Sequence, residues 1–225
     1  MLLLALDTST PAVTVALHDG ERVLADATTV DPRRHTELLM PLVTTVLAEA
    51  GATRRDLTEI AVGVGPGPFT GLRVGLAAAR TMGAVLDLPV RGVCSLDIVA
   101  YGVLATDPPG EPFAVATDAR RREVYWAVYD GDGVRTAGPD VGPAADVAGT
   151  SAGASAGASA LPAAGAGPRL YPDAFARALD PEYPSAAHLA AAVAAKAVEI
   201  LPPDPLYLRR PDATPPSARK SVLTR

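Results

Sequence analysis

The sequence predicts an α/β fold in two lobes. The first is arranged βββαβαβα over residues 1–108, and the second is a smaller, reduced α/β unit over residues 109–225. Three observations predict it. Short apolar and β-branched runs with hairpin signals open the chain; two stretches of helical periodicity follow, each ahead of a short apolar strand; two more strands then lead into an Ala/Gly-rich stretch.

Leu2 to Leu6 is an apolar run ending in the turn cluster Asp7-Thr8-Ser9-Thr10-Pro11. Ala12 to His18 reads as a strand, Asp19-Gly20 as a hairpin turn, and Glu21 to Thr29 as a third strand. A helix is expected from His35 to Ala50, closed by Gly51. Pro41 falls inside it, lacks an N–H and crowds the carbonyl of Glu37, so a late start or a kink is expected. A break is not, because Leu38, Leu42 and Val46 keep i, i+4 spacing across it. Glu59 to Gly65 is a buried strand, Thr70 to Leu86 a second helix, and Pro89 to Val93 a short strand. This is the order of the ribonuclease-H-like, actin-like fold.

In the second lobe Phe113 to Asp118 and Glu123 to Tyr129 read as strands, and Asp130 to Gly133 as a turn. Residues 137–167, with the near-repeat Ser151 to Ala160, read as a flexible loop. His188 to Ile200 is an Ala-rich helix, and the basic tail beyond Pro202-Pro203 reads as a solvated end.

Composition narrows the chemistry. A single cysteine, Cys94, excludes an intrachain disulfide and a thiolate zinc site, and His18, His35 and His188 are too scattered for a histidine metal site. The formal net charge of −5 is the wrong sign for a protein that grips nucleic acid alone. Met1 to Leu6 is cut short by Asp7 and lacks a basic lead, and no run approaches the ~20 apolar residues of a membrane span. A cytoplasmic protein without membrane contact is expected.

Four segments could carry function. Asp7, Thr8 and Ser9 lie where a hairpin could cup a nucleotide phosphate, with Asp7 near magnesium; the plain alternative is a strand end and a turn. Gly63 to Gly75 joins a strand to a helix, but it has no Gly-Lys-Ser/Thr ending, and Pro66 and Pro68 remove N–H groups a phosphate cradle would use. In the helix that follows, Thr70 is the expected N-cap, and Gly71, Gly75, Ala79 and Gly83 form one smooth strip. Three helical glycines cost about 1 kcal/mol each, which close approach of another backbone would offset, either the chain's own sheet or another molecule. Arg73 opposes the helix dipole unless an acidic group or a partner compensates. Arg120-Arg121-Arg122, between two strands, is either an anion or RNA contact or a solvated tip capped by Asp118.

Leu4-Ala5-Leu6-Asp7-Thr8-Ser9, Arg34 to Pro41, Gly65 to Gly75, Asp118-Ala119-Arg120 with Glu123-Val124-Tyr125, and Tyr207-Leu208-Arg209 together resemble the TsaB family of tRNA threonylcarbamoyladenosine biosynthesis proteins. The order and spacing agree over residues 1 to about 130, with the tail as a further match; the Ala/Gly-rich stretch departs from the family in composition. The resemblance implies a non-catalytic paralogue of TsaD, the enzyme that transfers threonylcarbamoyl to the adenosine beside the anticodon. TsaD-type proteins carry a two-histidine metal motif where this chain has Ser95 and Val99, and neither replaces an imidazole. The resemblance therefore implies no metal, no cofactor and no chemistry of its own. It also implies docking of a TsaD-type transferase through the first two helices, with a TsaE-type ATPase joining, a homodimer in their absence, and tRNA met only within the complex. The docking candidates are His35, Glu37, Leu38, Leu42, Thr70, Arg73, Ala77 and Arg80, with the strip Gly71, Gly75, Ala79 and Gly83. An actin-fold ATPase or small-molecule kinase using Asp7 is the competing expectation, and a metallopeptidase the third.

Overall fold

The computed structural model describes residues 1–147 and 161–209. The strands β1 (Leu3–Asp7), β2 (Ala12–His18) and β3 (Val23–Val30) are followed by α1 (His35–Glu49), β4 (Glu59–Gly63), α2 (Phe69–Leu86), β5 (Val90–Val93) and α3 (Ser95–Thr106). This is the βββαβαβα order. They form a five-stranded sheet ordered β3-β2-β1-β4-β5. β1 runs antiparallel to β2, with Ala5 opposite Ala16, and parallel to β4, with Ala5 opposite Ala61.

Alternation along β1 sorts its side chains to two faces. Leu4 and Leu6 point into a core with Leu39, Val43, Val46, Leu72 and Leu76, so α1 and α2 cover that face. Leu3 and Ala5 point the other way, onto Ile98 of α3 and Ala186, Leu189, Ala190 and Val193 of α6 (Ala186–Ala194). The last helix therefore packs on the first sheet. The second sheet, ordered β8-β7-β6-β9, contains β6 (Phe113–Asp118), β7 (Glu123–Tyr129), β8 (Arg135–Pro143) and β9 (Ala163–Ala164). The short helices α4 (Ala144–Val147) and α5 (Gly167–Leu170) flank it. Leu96, Val99 and Val103 of α3 share a core with Phe113, Val115 and Tyr129, which joins the two lobes.

Several expectations need correction. β3 begins at Val23 because Asp19 Oδ1 accepts the N–H groups of Glu21 and Arg22, both at 2.8 Å, and holds them in the turn. β4 ends at Gly63, just ahead of Gly65, whose φ of 94° only glycine adopts readily. The helix α1 does not start late: it runs from His35 with Pro41 inside and exposed, so the unbonded carbonyl side faces water. Gly51 closes it as expected, with Ala52 N–H donating to Leu47 O and Gly51 N–H to Ala48 O.

Thr70 is not the N-cap of α2. The cap is Pro68, whose carbonyl accepts from Leu72 N–H, and Thr70 lies exposed in the first turn. Part of the expected loop 137–167 is β8, which pairs with β7 from Tyr129–Arg135 to Glu123–Pro143. Main-chain pairing does not depend on an apolar pattern, which is why Ala, Gly and Pro conceal it. The near-repeat Ser151 to Ala160 lies outside the described residues. The Ala-rich helix starts earlier and ends at Ala194, because Lys196 adopts φ 55° and the Ala197 and Lys196 N–H groups turn back to Ala192 O and Val193 O. The tail is not wholly solvated either: Leu206 N–H donates to Val64 O, and Tyr207 Oη accepts from Arg73 Nε. Its basic end, Arg210 to Arg225, lies outside the described residues. Among the described residues no helix is long and apolar enough to cross a membrane.

Candidate functional site

The end of β1 places Asp7 inside the protein, not at an opening. Its side chain is fully buried. Oδ1 accepts from Ser9 N–H at 2.8 Å and Ser9 Oγ at 2.7 Å, and Oδ2 accepts from Ser95 Oγ at 2.7 Å. Ser95 Oγ accepts from Gly65 N–H at 3.1 Å in turn, so its donor and acceptor roles are both used. Gly63 leaves the room: a Cβ there would collide with the Asp7 carboxylate. Burial pushes the Asp7 carboxyl above its ordinary value, and the bonds from Ser95 and Ser9 pull it partway back. Both oxygens are turned to the interior and bonded there.

Thr8 and Ser9 follow in the same hairpin and are buried as well. Together with His35, Phe69, Arg120 and Arg169 they line a cleft of about 370 Å³ between the lobes. Thr8 Oγ1 donates to Gly71 O at 2.8 Å and accepts from Gly75 N–H at 2.9 Å, clamping the hairpin to α2. A Cβ at Gly75 would come within 2.6 Å of that oxygen, and one at Gly71 within 2.9 Å of Thr8 O. Gly83 is crowded by Val90 and Leu88, and Ala79 is fully buried. The smooth strip of α2 therefore faces the chain's own hairpin and sheet. A face used in this way cannot also receive another molecule, which corrects the docking expectation for Gly71, Gly75, Ala79 and Gly83. His35 is corrected likewise: it is buried, and its Nε2 lies 2.7 Å from Thr10 O.

The other docking candidates look outward to different degrees. Glu37, Thr70, Arg73, Ala77 and Arg80 are exposed, while Leu38 and Leu42 are half-buried. Two of them are held by a segment far along the chain. Arg73 lies 3.5 Å over the Phe69 ring and donates from Nε to Tyr207 Oη at 2.6 Å, and Phe69 stacks on Tyr207 at 5.5 Å. Arg80 pairs with Asp204 at 2.9 Å. The aromatic pair and the Tyr207 hydroxyl take the place of the acidic group Arg73 lacks in the first turn. Sequence reasoning missed this strap, since only the exposed aromatic Tyr207 near the basic tail hinted at it.

The Arg120–Arg122 turn is unusual. All three residues have positive φ, at 62°, 58° and 64°, a conformation costing a non-glycine residue roughly 1–2 kcal/mol. Asp118 Oδ1 accepts the Arg120 N–H at 2.7 Å, as expected of a cap. Arg209, from the end of the strap, donates to Ala119 O at 2.9 Å and pairs with Glu123.

The histidines are far apart in role. His18 Nδ1 accepts from Gly20 N–H at 2.9 Å, His35 serves Thr10, and His188 sits against Gly102 between α3 and α6. Among the described residues no three His, Cys, Asp or Glu side chains are grouped to hold a metal ion. Ser95, one of the two positions compared with metal histidines, serves Asp7, and Val99 is core. Cys94 is buried with its thiol pushed up to about 12, chiefly by desolvation, so it is an inert side chain.

Residues 22–165 match the family model described as TsaD, tRNA N6-adenosine threonylcarbamoyltransferase. An uncharacterized protein of Mycobacterium tuberculosis is 48% identical over 217 residues, covering 94% of this chain and 93% of its own length. The tRNA threonylcarbamoyladenosine biosynthesis protein TsaB of Escherichia coli is 39% identical over 132 residues, 59% of this chain and 56% of that protein. The matched segment thus spans just over half the length of that relative. The solved structure of YeaZ from Pseudomonas aeruginosa superposes with a TM-score of 0.75 at 32% identity, over 92% of this chain and 99% of that one. The fold is the actin-like α/β fold in two lobes, and the chain belongs to the TsaB (YeaZ) family, within the wider family that the TsaD model describes.

Proposed function

We propose that this chain is a non-catalytic scaffold subunit for threonylcarbamoylation of the adenosine beside the anticodon of tRNAs. It binds a TsaD-type transferase, is joined by a TsaE-type ATPase, pairs with itself in their absence, and works in the cytoplasm. The observation that carries the reading is the state of Asp7: the acidic group of the phosphate hairpin is buried, and Ser9 and Ser95 occupy both of its oxygens. A hairpin that spends its carboxylate on its own fold has none to offer a magnesium-bound phosphate. The outward faces of α1 and α2, carrying Glu37, Met40, Thr70, Ala77 and the 76% exposed Val85, are the surface through which the transferase would be held.

The test is reconstitution. The purified chain should transfer nothing alone and should support transfer when the transferase, the ATPase and the activated threonylcarbamoyl intermediate are added. Full transfer without the chain would contradict the reading. The competing ATPase or kinase requires turnover that Asp7→Ala abolishes, together with calorimetric binding of ATP; absence of both removes it. A metallopeptidase would need stoichiometric zinc or iron, which elemental analysis of the purified protein would reveal.

A further inference from the structure

The scaffold reading gives the arginine turn no role. In an acidic chain, three consecutive cations occupy a left-handed turn that its own residues do not favour, and a distant residue, Arg209, braces it from behind. Strain of this kind persists where surrounding contacts over-determine it and marks sites of function more often than solvated tips. The turn opens onto the cleft: Arg120 lines it, Arg33 lines it from the start of α1, and the half-exposed Phe69 ring shares the same wall. Arg120 and Arg169 each have carboxylate partners, Asp118 for the first and Asp180 with Glu182 for the second. Among the described residues, exposed Arg33 and Arg122 have no ion pair. The mouth thus carries the guanidinium group of Arg33, with Arg122 on the adjoining turn, beside a half-exposed ring over which Arg73 lies. That is the chemistry of single-stranded RNA contact: cations on the phosphate backbone and a ring against an unpaired base.

We propose that the Arg120–Arg122 turn, Arg33 and Phe69 form a contact surface for an unpaired RNA loop, so that this subunit itself grips part of the tRNA within the complex. The proposal rests on the scaffold reading for its setting. Net charge explains why the surface would be silent alone: a local patch on a chain of charge −5 gives too few phosphate contacts to bind without a partner adding more.

The experiment measures the affinity of the reconstituted complex for a synthetic anticodon stem-loop RNA by fluorescence anisotropy across a salt series. Arg33→Gln with Arg122→Gln should weaken binding about tenfold and lower the slope of log K against log salt by about 0.7–0.9 for each phosphate contact removed. Phe69→Ala should weaken binding with the slope unchanged. Unchanged affinity and slope in all variants, with the complex still intact on size exclusion, would overturn the proposal. Thermal melts check folding, and Arg33→Gln alone, on a different element from the turn, keeps the test open if a turn variant unfolds. Failure of the wild-type chain to join the transferase would count against the scaffold reading instead. The surface would then be judged by ultraviolet crosslinking of the same RNA to the isolated chain at high concentration and low salt, where phosphate contacts are strongest, and either no crosslink or no loss of it on Arg33→Gln and Arg122→Gln also overturns it.

Discussion

Ser95 Oγ donates a 2.7 Å hydrogen bond to Asp7 Oδ2, and both side chains are closed to solvent. The bond ties the tip of β1 to the first residue of α3, 88 positions away. Ser95→Ala should leave a buried carboxylate oxygen without its donor, costing about 1–3 kcal/mol. In a chain of this size that lowers Tm by roughly 2–4 °C per kcal/mol, read directly by calorimetry.

Asp7 also sets a pH dependence. Its native pKa lies above the ordinary 3.8, chiefly through desolvation. The folded state therefore holds the proton more tightly than the unfolded chain, and this group's contribution declines as pH rises from the unfolded value through the native one, then levels off. Urea unfolding of wild type and Asp7→Asn from about pH 4 to about pH 7 should show the difference moving against the wild type as pH rises. A difference that grows in its favour would mean that the carboxylate is stabilised, not strained, by its site.

His188 gives the opposite slope. Burial lowers its pKa below 6.5, and among the described residues its Nδ1 has no hydrogen-bond partner where it presses on Gly102. The unfolded chain protonates first, so stability is lost as pH falls below the unfolded value of 6.5. His188→Gln should flatten the Tm profile between about pH 7 and about pH 5.

Cys94, with its thiol pushed up to about 12 in the joint between the lobes, should resist alkylation by iodoacetamide in the native protein and react stoichiometrically in denaturant. Mass spectrometry of intact protein reads both states. Rapid native labelling would mean that the joint around α3 opens.

Much of this was legible in the sequence, and the rest was hidden for physical reasons. The periods of β2, β6 and β7 were plain, since each buries an apolar run, and Gly51 marked the end of α1 by its chemistry. β8 was concealed because its bonds are main-chain bonds on an exposed edge strand of Ala, Gly and Pro. The end of α6 was misplaced because Lys196, not glycine, takes the left-handed position. The glycine strip of α2 was correctly found to need a close neighbour, but which one depended on Thr8, 67 residues before Gly75. The fate of Asp7 and of Arg73 was likewise decided by distant partners, Ser95 and Tyr207, which no local pattern announces.

The central claim is that the chain contributes a surface and no chemistry. Its most direct test is threonylcarbamoyl transfer to tRNA by the TsaD-type enzyme and its ATPase, with this chain present, absent, or carrying Val85→Arg and Ala77→Arg on the exposed face of α2. The account predicts transfer with the wild-type chain, none without it, and a loss of tenfold or more with the substituted face, matched by loss of co-elution with the enzyme. Transfer that proceeds equally in all three would contradict it.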